Sequence, residues 1–274
     1  MKLVYIVGMG RSGSTLLDIL LDAHSRVKAL GGIRRIAHYV RNHPCPCGAT
    51  SFRQCPFWSR VEQELVSRYG RGLTDLAVNA GDEATFREDN RLLFETASEV
   101  GGTPYVTDNS KSAGRLRRLL QSPEIEVIPV HVIRDPRGRA QSLRKRKNQS
   151  YIPTFSYTHR SLRLYRLLRD REHIVVNYER LAQDPEGQLT KLMHRLDLEF
   201  ESEQLNWADR AHHNIGAADV LRKTEGSAIR PDNAWREIIP GYMQGLIQAI
   251  AWPGRIANEA QERRWGLDRE KNSD

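Results

Sequence analysis

Short, continuously apolar runs alternate along this chain with longer stretches in which apolar residues return at helical spacing. LVYIV near the N-terminus and HIVV at 173–176 have no polar alternation, which marks strands buried on both faces. Strands are predicted at about 3–8, 27–30, 104–108, 126–135 and 173–178. Helices are predicted at about 14–24, 33–43, 58–69, 83–100, 112–121, onward from Pro136, and at 185–196. Pro136 and Pro185 stand where a first helical turn favours proline. The remainder, 200–274, reads as polar and irregular, with a helix near 237–251. Strands in alternation with helices predict an α/β fold, a parallel β-sheet flanked by helices. No repeat, low-complexity tract or linker interrupts the pattern, so 1–274 reads as a single domain. A Pro- and Gly-punctuated insertion at about 43–58 and a polar loop at about 204–236 stand out within it.

Composition narrows the partners. Of 274 residues 28% are charged, and the formal net charge is +8. That excess points to an anionic ligand. The basic run 134–147 contains no Phe, Tyr or Trp, so bases have nothing to stack on and no nucleic-acid partner is expected. The apolar start is too short for a signal peptide, and nothing approaches the roughly 20 apolar residues of a membrane span. With three cysteines, an odd number, a secreted disulfide framework is not indicated, and a cytoplasmic location is expected.

The candidate chemistry starts at GMGRSGST, residues 8–15, between a predicted strand and a predicted helix. Strand, glycine-rich loop and helix make an anion cradle from backbone amides and the helix dipole. Gly8, Gly13 and Thr15 keep the spacing of the nucleoside-triphosphate loop G-x-x-x-x-G-K-[ST], but Ser14 replaces its lysine. Arg11, Ser12, Ser14 and Thr15 supply oxyanion donors instead. The strand VHVIRDP ends in Arg134 rather than in a magnesium carboxylate, with Arg139, Ser142 and Arg146 following on a basic helix. Arg134, Ser142 and Arg146 are candidates for a second phosphate.

GRSGSTLL followed by VIRDPRGRAQS resembles the two signature motifs of sulfotransferases that use 3′-phosphoadenosine 5′-phosphosulfate (PAPS), nearest the tyrosylprotein and bacterial branches. The resemblance implies a P-loop-NTPase-like sulfotransferase fold. It implies that Arg11, Ser12, Gly13, Ser14 and Thr15 bind the 5′-phosphosulfate, and that Arg134 and Ser142 bind the 3′-phosphate. It extends to TDNSKSAGRL, implying a catalytic Lys111 at the transferring group. HIVVNYERLAQDPE places Tyr178 beside the 3′-phosphate, and the late basic stretch places Lys223 on it. No catalytic metal is implied, and the product is adenosine 3′,5′-bisphosphate. The acceptor, whether a small molecule, lipid, glycan or peptide, is not named by these residues, although 151–166 has the aromatic content to line a pocket for it.

One departure bears on catalysis. The family branch carries a Gly-Glu pair after the second strand, the glutamate acting as base. Gly31 matches the glycine here, but Gly32 or Ile33 occupies the glutamate's place. Asp108 is the first expected substitute, followed by His38, His212 and His213, while Arg34 and Arg35 are available to an acidic acceptor. The alternatives are a P-loop phosphotransferase and a non-catalytic nucleotide-binding protein. His43, Cys45, Cys47 and Cys55 form a separate cluster open to three readings: a zinc site, a disulfide, or buried thiols.

Overall fold

A computed structural model describes residues 1–147, 154–221 and 226–268. The five strands are β1 (Lys2–Gly8), β2 (Val27–Ala29), β3 (Tyr105–Asp108), β4 (Glu126–Ile133) and β5 (Ile174–Asn177). They form one sheet in the order β2-β3-β1-β4-β5, with parallel pairing and the predicted flanking helices. Residues 3–8 of β1 are buried, as its unbroken apolar run predicts for a central strand. Pro129 interrupts β4 without harm: pairing with β5 starts at Val130, so the missing N–H falls outside that ladder.

The helices are α1 (Ser14–Asp22), α2 (Ile36–Asn42), α3 (Pro56–Tyr69), α4 (Glu83–Gly101), α5 (Ala113–Leu119), α6 (Pro136–Lys147), α7 (Thr154–Leu168), α8 (Tyr178–Gln183), α9 (Pro185–Arg195), α10 (Ala218–Leu221), α11 (Trp235–Ile238) and α12 (Gly241–Trp265). Among the described residues no helix is long and apolar enough to cross a membrane.

The chain forms two compact units. The first comprises 1–6, 15–129 and 201–228. Its core gathers the apolar faces of α1, α3 and α4 with β2 and β3, including Leu17, Trp58, Val61, Phe86 and Phe94. Asp82 caps α4 by accepting from Thr85 N, and Gly102 ends it in the left-handed conformation. The second unit comprises 7–14, 130–200 and 229–274. There α7 packs along α12, with Tyr157, Thr158 and Ser161 against Gly254.

α12 runs well past the predicted 237–251 and contains Pro253. An interior proline normally ends a helix. Here burial of Ala251, Gly254, Ala257 and Asn258, and a bond from Thr158 Oγ1 to Ile250 O (2.7 Å), hold the chain helical through it. The predicted strand 173–178 is shorter than expected, because Asn177 caps α8 by accepting from Glu179 N and Arg180 N.

Candidate functional site

The glycine loop lies in the second unit with α6 and α8. Gly13 has φ 87°, and a Cβ there would collide with the Tyr178 ring, so glycine is required twice over. Arg11 is left-handed at φ 73°, an uncommon conformation for a residue with a side chain. Its Nε donates to Ser142 Oγ at 2.8 Å, bridging the loop to α6. Arg134 donates from Nη1 to Arg11 O (2.9 Å) and from Nη2 to Asp232 Oδ2 (2.8 Å). Its guanidinium lies 4.2 Å from the Tyr178 ring centre. Arg139 Nε donates to Gly10 O at 3.3 Å. Burial, and then the charge of Arg160, push Arg139 down to about 10.

Three arginines therefore converge on one short loop, which favours an anion there. Two buried donors support that reading: Ser12 Oγ and Arg134 Nε lack a hydrogen-bond partner among the described residues. The predicted Arg11, Ser12, Gly13, Arg134, Ser142 and Tyr178 are thus brought together. Ser14 begins α1. The side chain of Arg146, and Lys223 altogether, lie outside the described residues.

The first unit holds the other predicted groups. Lys111, left-handed at φ 59°, donates from Nζ to Thr15 Oγ1 at 3.3 Å. One turn along α1, Asp18 accepts from Asn214 Nδ2 (2.9 Å) and from Thr107 Oγ1. Burial raises its pKa to about 6 against those bonds. Asp22 accepts from Lys28 Nζ (2.7 Å) and Ala29 N (2.9 Å), and lies 2.8 Å from His212 Nδ1. Burial opposes its charge, but Lys28 and His212 outweigh that and hold its pKa below the usual range. Sequence reasoning missed Asp18, Asn214 and Asp232. Only the helical spacing from Thr15 to Asp18 offered a signal.

Asp108 is held in a buried ion pair. Its Oδ2 accepts from Arg115 Nε (2.7 Å), and its Oδ1 accepts from Ser110 N (2.9 Å) and Ser110 Oγ (2.5 Å). Arg115 also donates to Asn90 Oδ1 (2.5 Å) and to Val78 O. Both members of the pair are buried, so Asp108 ties α5 to β3 and both of its oxygens accept hydrogen bonds. His212 is equally occupied, its Nε2 lying 2.6 Å from Trp207 O. His38 is exposed, with its Nε2 3.0 Å from that of His43, which stacks on Tyr39. His43 is therefore not the partner of the cysteines; His213 is, with Nδ1 3.1 Å from Cys55 Sγ and 3.9 Å from Cys45 Sγ.

At the departure from the family pattern, Gly32 has φ −85°, and a Cβ would meet nothing nearer than Asn109 O and Ile215 O at 3.8 Å. Of the aromatic stretch 151–166, residues 151–153 lie outside the described residues. Tyr157 is spent on packing, donating to Arg134 O (3.2 Å) and accepting from Asn258 Nδ2 (3.0 Å).

These features define an α/β protein with a phosphate-loop-like turn in which Ser14 stands at the lysine position of the nucleoside-triphosphate loop. The chain belongs to the Sulfotransferase family, whose sequence model matches residues 4–202. No curated protein matches it in sequence. Among solved structures it is similar to the sulfotransferase domain from the Synechococcus PCC 7002 olefin synthase, at 20% identity and TM-score 0.57, over 94% of each chain. It is also similar to the sulfotransferase domain from the curacin biosynthetic pathway, at 15% identity and TM-score 0.55, over 90% of this chain and 96% of that one. Sulfotransferase STF9 from Mycobacterium avium matches at 14% identity and TM-score 0.51, over 91% of this chain and 74% of its own. Likeness at such identities concerns the fold.

Proposed function

We propose that the protein transfers a sulfonate group from PAPS to a hydroxyl or amine. The acceptor heteroatom attacks sulfur, the bond from sulfur to the bridging phosphate oxygen breaks, and adenosine 3′,5′-bisphosphate departs with the electron pair. The acceptor's proton passes to solvent water as the new bond to sulfur forms. Arg11 and the hydroxyls of 12–15 neutralise the 5′-phosphosulfate, Lys111 stabilises charge on the transferring group, and Arg134 and Ser142 hold the 3′-phosphate beside Tyr178. The observation that carries this reading is the Arg11 to Ser142 bridge, which joins the two signature segments into one cationic cradle.

Calorimetry tests the donor. Arg134→Ala should weaken adenosine 3′,5′-bisphosphate binding by about 1.5–3 kcal/mol, the range for a hydrogen bond to a charged group. AMP, which lacks the 3′-phosphate, should bind the variant and the parent alike. Equal losses for both ligands would remove the 3′-phosphate assignment. ATP with magnesium should bind more weakly than the bisphosphate, and the reverse order would favour a phosphotransferase.

The base is tested at Gly32. The site has room for a Cβ and an ordinary φ, so Gly32→Glu should fold. A carboxylate there should raise turnover by about tenfold or more, since a well-positioned general base contributes about 10²–10⁴. An inactive Gly32→Glu variant that still binds the bisphosphate tightly would instead favour a non-catalytic nucleotide-binding protein.

A further inference from the structure

All three cysteines of the chain lie in the 43–58 insertion, and all three are free thiols. They converge with His213, which is 158 residues beyond Cys55 in sequence. The ligand atoms of Cys45, Cys47, Cys55 and His213 lie within 4.8 Å of one another. We propose that these four residues bind one zinc ion, as a structural Cys₃His site.

The chemistry of the set supports zinc. Three sulfurs and one imidazole nitrogen are a standard structural zinc set, closed by four protein ligands with no position left for water. Bonds of about 2.3 Å to sulfur and about 2.0–2.1 Å to nitrogen put tetrahedral ligand atoms roughly 3.5–3.8 Å apart. The distances from Nδ1 of 3.1 Å to Cys55 and 3.9 Å to Cys45 bracket that spacing. Cys45 and Cys55 are buried, which suits a site that holds a fold together.

The surroundings orient the ligands. The His213 ring stacks on Phe57 with centroids 5.4 Å apart, and its carbonyl accepts from Trp58 Nε1 at 2.8 Å. The chain turns sharply after Cys45: Gly48 N donates to Cys45 O (3.1 Å), and Gly48 has φ 96°, a conformation suited to glycine. That turn presents Cys45 and Cys47 together. Cys55 stands at the N-cap position of α3 without bonding its backbone amides, beside the positive end of the helix dipole.

The site has a structural consequence. His213 sits in a strip in which His212 meets Asp22, Asn214 bonds Asp18, and Ile215 exchanges hydrogen bonds with Leu30 and Gly32. Zinc therefore fastens the insertion to the strip that lies along the end of β2. It shapes the first unit at Gly31 and Gly32 without taking part in bond making.

The test uses the full chain expressed with zinc present. Elemental analysis should give one zinc per chain, and cobalt(II) reconstitution should give intense thiolate-to-cobalt charge-transfer absorption. His213→Ala should weaken zinc by more than the 10–100-fold that loss of an outer-shell partner costs. His213→Cys should retain one metal, which guards against reading misfolding as ligand loss. His43→Ala should match the parent. A folded chain that takes up no zinc and gives no cobalt charge transfer would overturn the site. So would a native disulfide seen as a two-hydrogen mass loss, or zinc affinity unchanged in His213→Ala.

Discussion

Asp108→Ala is expected to destabilise the protein by about 3–5 kcal/mol in urea unfolding, the cost of stripping the partner from a buried ion pair. The cost arises at Arg115, which is buried with its charge and would keep only the neutral acceptors Val78 O and Asn90 Oδ1. Replacing both partners, as in Asp108→Ala with Arg115→Met, should recover part of the loss, because no buried charge then remains. Asp108→Asn should lie between parent and alanine variant, since the bonds from Ser110 can persist. A stability change under 1 kcal/mol together with a hundredfold loss of turnover would show that Asp108 is a base after all.

Lys111→Ala is expected to lower turnover by about 10²–10³, the usual cost of removing a preorganised donor to developing charge. Affinity for adenosine 3′,5′-bisphosphate should stay within a few-fold, because that product lacks the sulfonate group. The left-handed backbone adds a second arm. Lys111→Gly should lose the same activity yet gain about 1 kcal/mol of stability, since glycine adopts φ 59° without the penalty of a side chain. A variant losing affinity and turnover equally would make Lys111 a donor-binding residue only.

Much of this was legible in the chain because it depends on local pattern. The continuous apolar run of β1 and the glycines after it dictate strand, loop and helix with no tertiary information. Arg134 and Ser142 were legible because both lie in the segment that runs from β4 into α6, a fixed helical distance apart. What failed depends on partners remote in sequence. Asp108 looked available at a strand end, but Arg115, in the first turn of the next helix, reaches back to it. His43 looked like a fourth ligand by proximity, whereas the fold delivers His213 from the far end of the unit. In a stretch that reads as polar, the pattern indicates a helix only near 237–251, whereas α12 continues through Pro253 to Trp265 as it packs against α7.

The strip 212–215 also bears on how the chain reaches its native state. β2 is an edge strand, and the bridge between Gly31 and Ile215 lies just beyond its end. An uncovered edge is a template for pairing with another chain. The residues that bridge just past this strand's end and bond to α1 are synthesised late: His212 follows Asp22 by 190 positions and Asn214 follows Asp18 by 196. During translation the early α/β segment thus waits with buried-type carboxylates and a bare strand end in water. Closing so long a loop is slow, because its entropy is lost before its contacts form. Aggregation is therefore expected to be greatest in the interval before residue 215 leaves the ribosome, with chaperone demand concentrated there.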